Sequence, residues 1–208
     1  MENLTNLFKI MQLTRSMPQY GYVVAGIKQN DLSNLAEHHY LVTFIAWQIA
    51  LSLKEKGANL DILKVLEISM VHDVGELFGG DVSFHYGRAH KVARQKAKEF
   101  EKENVLFLSR FFNKPEKFLE LNSLEREEVT SDEAIISRFA DLIECIYYKM
   151  TLDKVTPKDI EETVEALKAR ALEAKDEITK KELLNFLDAF SGVLDGKSVQ
   201  DIIWDNKD

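Results

Sequence analysis

The sequence predicts an all-α protein, a helical bundle with further helices at its C-terminal end. Apolar residues recur at helical spacing through most of the chain, and only three prolines and nine glycines interrupt its 208 residues. A content of 45% hydrophobic and 10% aromatic residues is enough to bury one good core, so a single domain over residues 1–208 is expected. About seven to nine helices fit the pattern. The formal net charge of -8 argues against a nucleic-acid partner, because phosphate backbones are bound by clustered Lys and Arg in excess. A small-molecule substrate fits better. The lone Cys145 leaves no intramolecular disulfide, and its apolar helical setting suggests a buried thiol of a reducing compartment. Met1-Glu2-Asn3-Leu4 is not a basic region followed by an apolar core, and no stretch approaches the ~20 apolar residues of a membrane span. A cytoplasmic location without a membrane partner is expected.

The first helix, residues 3–14, carries a broad apolar face in Leu4, Leu7, Phe8, Ile10, Met11 and Leu13. Residues 15–31 mix Pro18, Tyr20, Gly21, Tyr22 and Gly26 and read as a loop, of a length that is often functional. A second helix starts near Asn34, where Asn34 and Glu37 form a capping box, and runs through Leu41, Val42, Ile45, Ala46, Ile49 and Leu53 to Gly57. His38 then points into the core from the first turn, four and seven residues before Val42 and Ile45, while His39 is rotated away by about 100°. A core-facing histidine is more often a satisfied core residue than a ligand. The following helix alters that balance.

Residues 61–78 read as a third helix, antiparallel to the second because the connection around Gly57 is short. His72 and Asp73 sit side by side near the end of its apolar run. Burying an ionised carboxylate costs several kcal/mol unless a cation or hydrogen bonds compensate it, and a divalent metal does so most directly. Glu76, four residues after His72, belongs to the same helical face; Gly79-Gly80 then breaks the helix and presents Asp81 at its mouth. Antiparallel packing puts the start of the second helix beside the end of the third, where His38 and His72-Asp73 lie.

Residues 82–87 read as irregular and residues 88–112 as a helix whose basic start includes Lys91, Arg94, Lys96 and Lys98. Most of that charge suits a solvated face; one or two cations, Lys91 and Arg94 foremost, are candidates for contacting a phosphate. His85 and His90 either assist the site or decorate its rim. A short helix over 116–122 and an acidic segment over 125–132 precede a strongly apolar helix over 133–148, with Asp141 in its middle. Asp disfavours helix interiors and pays full desolvation when buried, so Asp141 is the candidate second anionic ligand. Glu144, one turn on, is either a support for a ligand or a surface charge. Thr156-Pro157 opens two amphipathic helices, over about 158–175 and 178–194, and a tail reaching Trp204.

The constellation His38, His72-Asp73 and Asp141 resembles the HD-domain metal-dependent phosphohydrolase superfamily. More closely, Ala36-Glu37-His38, the run from His72 through Glu76 to Asp81, and Ala140-Asp141 are similar to the small HD-domain 5'-deoxynucleotidases of the YfbR-like kind. The likeness covers roughly residues 4–150, leaving residues 157–208 as a C-terminal extension. It implies an HD-domain helical bundle in which His38, His72, Asp73 and Asp141 hold one divalent ion and Glu76 and Asp81 serve catalysis. It also implies a homodimer, to which the apolar residues of the terminal helices add support. That family carries Arg-X-Pro in the first loop, contacting the nucleotide. Here the segment is Arg15-Ser16-Met17-Pro18, with the arginine displaced by one position.

Two imidazoles and two carboxylates leave open positions in an octahedral shell, which suits Mn, Fe, Co or Mg more than a closed structural Zn site. Such an ion polarises a phosphoryl oxygen and makes water a nucleophile at neutral pH, so neither a Ser nor a Cys nucleophile is required. Asp81 is expected nearer the scissile ester oxygen or attacking water, with Glu76 ordering the metal-bound water from the other side. The first reading is therefore a hydrolase releasing phosphate from a nucleoside 5'-monophosphate. Triphosphate release from a deoxynucleoside triphosphate is the rival within catalysis, favoured if Arg88, Lys91 and Arg94 converge on a phosphate chain. A nucleotide-sensing protein that keeps the metal without turnover is the rival from another class.

Overall fold

The structure is a computed structural model that describes residues 2–79, 81–126, 131–194 and 197–206. Gly80 of the expected helix break and residues 127–130 of the expected acidic segment lie outside the described residues, as does the His85 side chain. Among the described residues there are ten α-helices and no strand. They are α1 (Glu2–Met11), α2 (Leu35–Glu55), α3 (Ile62–Val71), α4 (Phe84–Ala89), α5 (Lys91–Ser109), α6 (Pro115–Arg126), α7 (Asp132–Thr151), α8 (Pro157–Leu172), α9 (Glu177–Phe190) and α10 (Val199–Asp205). The count exceeds the expected seven to nine because α4 and α10, at 6 and 7 residues, are shorter than the two full turns over which periodicity is legible. No helix among the described residues is long and apolar enough to cross a membrane.

α2, α3 and α7 pack on one another and carry the centre of the core. Ala46, Ala50 and Ala140 are buried where these helices approach, between Val42, Val65, Ile136, Phe139 and Ile143. The same apolar cluster takes in Ile160, Leu167 and Ala171 of α8 and Leu183, Leu187 and Phe190 of α9. A second cluster, with Leu35, Val74, Leu77, Val105, Leu108 and Phe118, seats α5 and α6 against the segment after α3. α10 instead leaves Val199, Ile202, Ile203 and Trp204 exposed.

Local chemistry fixes the register of α2. The Asn34 side chain accepts from the Glu37 amide at 3.0 Å, and the Glu37 carboxylate accepts from the Asn34 amide at 3.4 Å. At the other end Gly57, at φ +95°, closes the helix: its amide and that of Ala58 donate to Lys54 and Leu53, each at 3.0 Å. A left-handed residue there is what glycine supplies at least cost.

Three expectations are corrected. The helix expected over 61–78 ends at Val71, followed by a 3-10 turn over Val74–Glu76. Carbonyls left without a helical donor are taken from elsewhere, Val71 by the Asn122 amide at 3.1 Å and Gly75 by that of Asn104 at 2.8 Å. Glu76 therefore does not continue the His72 face of one helix. The expected loop over 15–31 contains 3-10 turns at Tyr20–Ala25 and Gln29–Asp31, with another over Gln12–Arg15. Finally, the supposedly irregular residues 82–87 include most of α4, and His90, at φ -123° and ψ 80°, separates it from α5.

Candidate metal centre

The first turn of α2, the end of α3 and the middle of α7 meet at one point. His38 Nε2 lies 3.1 Å from His72 Nε2, 3.5 Å from Asp73 Oδ2 and 3.3 Å from Asp141 Oδ1, and His72 Nε2 is 3.2 Å from Asp73 Oδ2. One donor atom from each of the four residues falls within 4.8 Å of every other. The far side of each ring is already committed. His38 Nδ1 donates to Glu144 Oε2 at 2.6 Å and His72 Nδ1 to the Ser69 carbonyl at 2.8 Å. Carboxylate and carbonyl oxygens only accept, so both Nδ1 atoms carry hydrogen and the two Nε2 lone pairs converge on each other. Such a pair needs a cation or proton between its members, and with two carboxylates alongside the donor set fits a divalent ion.

The electrostatics agree. Burial works against charge on His38, but hydrogen bonds to Asp141, Asp73 and Glu144 outweigh it and raise its pKa well above the usual range. Burial likewise opposes charge on His72, yet Asp73 pushes its pKa up to about 9. Burial raises the Asp73 carboxyl, and the neighbouring His72 and His38 more than offset that and hold it well below its usual value. His38 and His72 side chains are 1% exposed, whereas those of Asp73 and Asp141 are 24% and 30% exposed, so the cluster opens on its carboxylate side. His39 is buried, its ring centroid 4.8 Å from that of His72, and its Nε2 lacks a hydrogen-bond partner among the described residues. It contributes no atom to the four-residue donor group.

The open side faces a cavity of about 390 Å³. Glu76 and Asp81 both line it. Burial raises the Glu76 pKa well above the ordinary carboxylate value, helped by Asp73, Asp81 and Glu101. Asp81 is also raised by burial, although it accepts a hydrogen bond from the Gly21 amide, which favours its charged form. A Cβ on Gly21 would stand 3.0 Å from Asp81 Oδ1, so this contact depends on glycine for its close approach. Of the expected phosphate-binding cations, Arg94 lines the cavity. Arg15 is exposed and donates to Gln12 at 3.1 Å, and neither it nor the exposed Lys91 is among the cavity-lining residues.

The sequence profile of the HD domain matches residues 20–182, a span that takes in all four donors as well as Glu76 and Asp81. The chain belongs to the HD-domain family. Its class is that of metal-dependent phosphohydrolases, and HD domains bind divalent metals. A protein named 5'-deoxynucleotidase HDDC2, from Dictyostelium discoideum, is 23% identical over 158 residues, covering 74% of this chain and 80% of its own. Among solved structures, a Pyrococcus horikoshii OT3 protein superposes with a TM-score of 0.67 at 22% identity, over 90% of this chain and 98% of its own. A conserved hypothetical protein from Pyrococcus furiosus gives 0.66 at 21%, over 89% and 99%. Both share the fold of this HD-domain chain.

Several residues of this HD-domain site escaped sequence reasoning. Lys98 and Glu101 line the cavity with Arg94 and Ala97. The four stand at i, i+3, i+4 and i+7 of α5, a helical face that the sequence displays but that its many charges disguise as a solvated one. Glu144, left open as support or surface charge, is 2% exposed and bound to His38, and the Tyr22 hydroxyl donates to it at 3.4 Å. Gln19, Ser83 and Lys149 also line the cavity, the last through an ion pair with Asp159 of α8. No local pattern marks any of those three.

Proposed function

We propose that this protein is a metal-dependent 5'-nucleotidase that hydrolyses deoxynucleoside 5'-monophosphates to nucleoside and phosphate. One observation carries the reading: Asp73 and Asp141 of the four-donor cluster, the carboxyls of Glu76 and Asp81 and the cations Arg94 and Lys98 all border one cavity. Its volume of about 390 Å³ lies within the roughly 300–1,000 Å³ of small-ligand sites. The relative named a 5'-deoxynucleotidase supports the same substrate class.

A divalent ion held by His38, His72, Asp73 and Asp141 would polarise a phosphoryl oxygen and acidify water beside it. Arg94 and Lys98 reduce the remaining charge of the phosphate. Glu76, grouped with Asp73 and Glu101 beside the cavity, accepts the proton of the attacking water, and burial makes its carboxylate more basic than an ordinary one. Asp81, with one oxygen fixed by the Gly21 amide, delivers a proton to the 5'-oxygen as the P–O bond breaks. Cys145 borders the cavity, but burial and Asp141 push its thiol far above the usual range, which suits direct attack by water rather than a thiolate nucleophile.

A monophosphate is preferred because, of Arg88, Lys91 and Arg94, only Arg94 borders the cavity. The test is metal-depleted protein restored with Mn, Co, Mg or Zn and offered nucleoside mono- and triphosphates. Orthophosphate from monophosphates, faster from deoxyribose than ribose substrates, is expected. Tripolyphosphate would move the reading to the triphosphohydrolase, and release from no nucleotide would move it to a sensor. The exposed apolar residues of α10 support reading the protein as a homodimer, and a monomer mass by light scattering at micromolar concentration would defeat that.

A further inference from the structure

Gln19 and Ser83 are 7% and 8% exposed, both border the cavity, and Gln19 Oε1 and Ser83 Oγ have no hydrogen-bond partner among the described residues. A buried polar atom left unsatisfied is costly, so two among the residues that border one cavity point to a ligand that supplies the partner. Both lie close in sequence to the Gly21–Asp81 contact. The Gly21 amide donates to the Asp81 carboxylate, Gln19 lies two residues before Gly21, and Ser83 lies two residues after Asp81. The Gln19 amide donates to the Ser33 carbonyl at 2.9 Å, which fixes the backbone from which its side chain extends. Gln19 also shares a small recess with Glu76, Gly79 and Asp81.

We infer that Gln19 and Ser83 form a subsite for the sugar of the substrate, hydrogen-bonding the 3'-hydroxyl of a deoxyribose; this rests on the nucleotidase reading. Both side chains are neutral and can donate as well as accept, which matches a hydroxyl. The phosphate has its own partners in the donor cluster, Arg94 and Lys98. The leaving 5'-oxygen belongs to the sugar, so side chains flanking the acid that protonates that oxygen meet the sugar rather than the base.

The test compares the metal-loaded parent with Gln19→Ala and Ser83→Ala on three substrates: deoxyadenosine 5'-monophosphate, its 2',3'-dideoxy counterpart and phenyl phosphate. Each variant is expected to lose about tenfold in kcat/KM on the deoxynucleotide. The parent should lose a similar factor on the dideoxy substrate, where the substitutions add little, and phenyl phosphate should be turned over equally by all three proteins. The dideoxy comparison within the parent needs no variant, so a folding defect cannot mimic the result. Equal losses on all three substrates, or none on the deoxynucleotide, would overturn the sugar subsite and leave the nucleotidase reading intact. A parent active on phenyl phosphate but on neither nucleotide would overturn both.

Discussion

Glu144 offers the sharpest test of the centre, because it meets His38 from behind and is not among the cavity-lining residues. Its 2.6 Å bond to His38 Nδ1 fixes the ring and adds to the basicity of the opposite nitrogen. A hydrogen bond to a charged group contributes roughly 1.5–3 kcal/mol and a neutral one roughly 0.5–1.5, so Glu144→Gln removes about 1–1.5 kcal/mol, close to tenfold in affinity. Glu144→Ala also frees the ring and should cost metal affinity up to about 100-fold. Calorimetric titration of metal-depleted protein with Mn reads the change, with Asp73→Ala or Asp141→Ala expected to abolish uptake and His39→Ala to retain it. At saturating Mn, both Glu144 variants should recover turnover to within a few-fold of the parent. Parent-like Mn affinity in Glu144→Gln and Glu144→Ala alike would refute the reasoning. So would a turnover deficit that excess metal leaves unchanged, since Glu144 would then act on the reaction itself.

Glu76→Gln and Asp81→Asn should each keep the metal and the substrate dissociation constant within a few-fold while kcat falls about 10²- to 10⁴-fold; parent-like phosphate release by both would end their catalytic assignment. Gly21→Ala should displace the Asp81 carboxylate, since the added Cβ would begin 3.0 Å from Oδ1, and lower kcat with the melting temperature nearly unchanged; unaltered steady-state kinetics would show that the contact does not position Asp81. Asp159 is only partly desolvated, which raises its pKa, but Lys149 and the Thr156 cap more than offset this and hold it below the usual value. The pair therefore stabilises the fold fully above about pH 4, and that contribution is lost as pH falls through the depressed folded pKa. Asp159→Asn, which leaves the mostly buried Lys149 unpaired, should cost about 2–3 kcal/mol in urea melts at pH 7, with the gap narrowing below pH 4; a gap independent of pH would refute the ion pair as its source.

The parts of the fold legible in the sequence are those whose causes are local. Asn34, Glu37 and Gly57 fix both ends of α2 by contacts within a few residues, so the inward aim of His38 can be read without tertiary information. Asp141 is legible for a different reason: an acidic residue inside an apolar helix contradicts its surroundings and needs a partner. The end of α3 has no such signal. Its apolar pattern runs on past Val71, and the carbonyls released there are satisfied by Asn104 and Asn122, which bind acceptors 29 and 51 residues away in sequence.

That break has a functional consequence. By leaving the α-helical path after Val71, the chain brings the 3-10 turn bearing Glu76 against α5. The contact converts the Arg94, Ala97, Lys98 and Glu101 face from apparent solvent surface into a cavity wall. It also groups Glu76 with Asp73 and Glu101, and this crowding of carboxyls helps burial raise the Glu76 pKa. A straight helix would have kept Glu76 one turn beyond His72 on a single face, with no such turn to lay against α5. The donor residues are thus readable one at a time from their local setting, whereas the environment of Glu76 arises with the help of two asparagines whose role exists only in the folded chain.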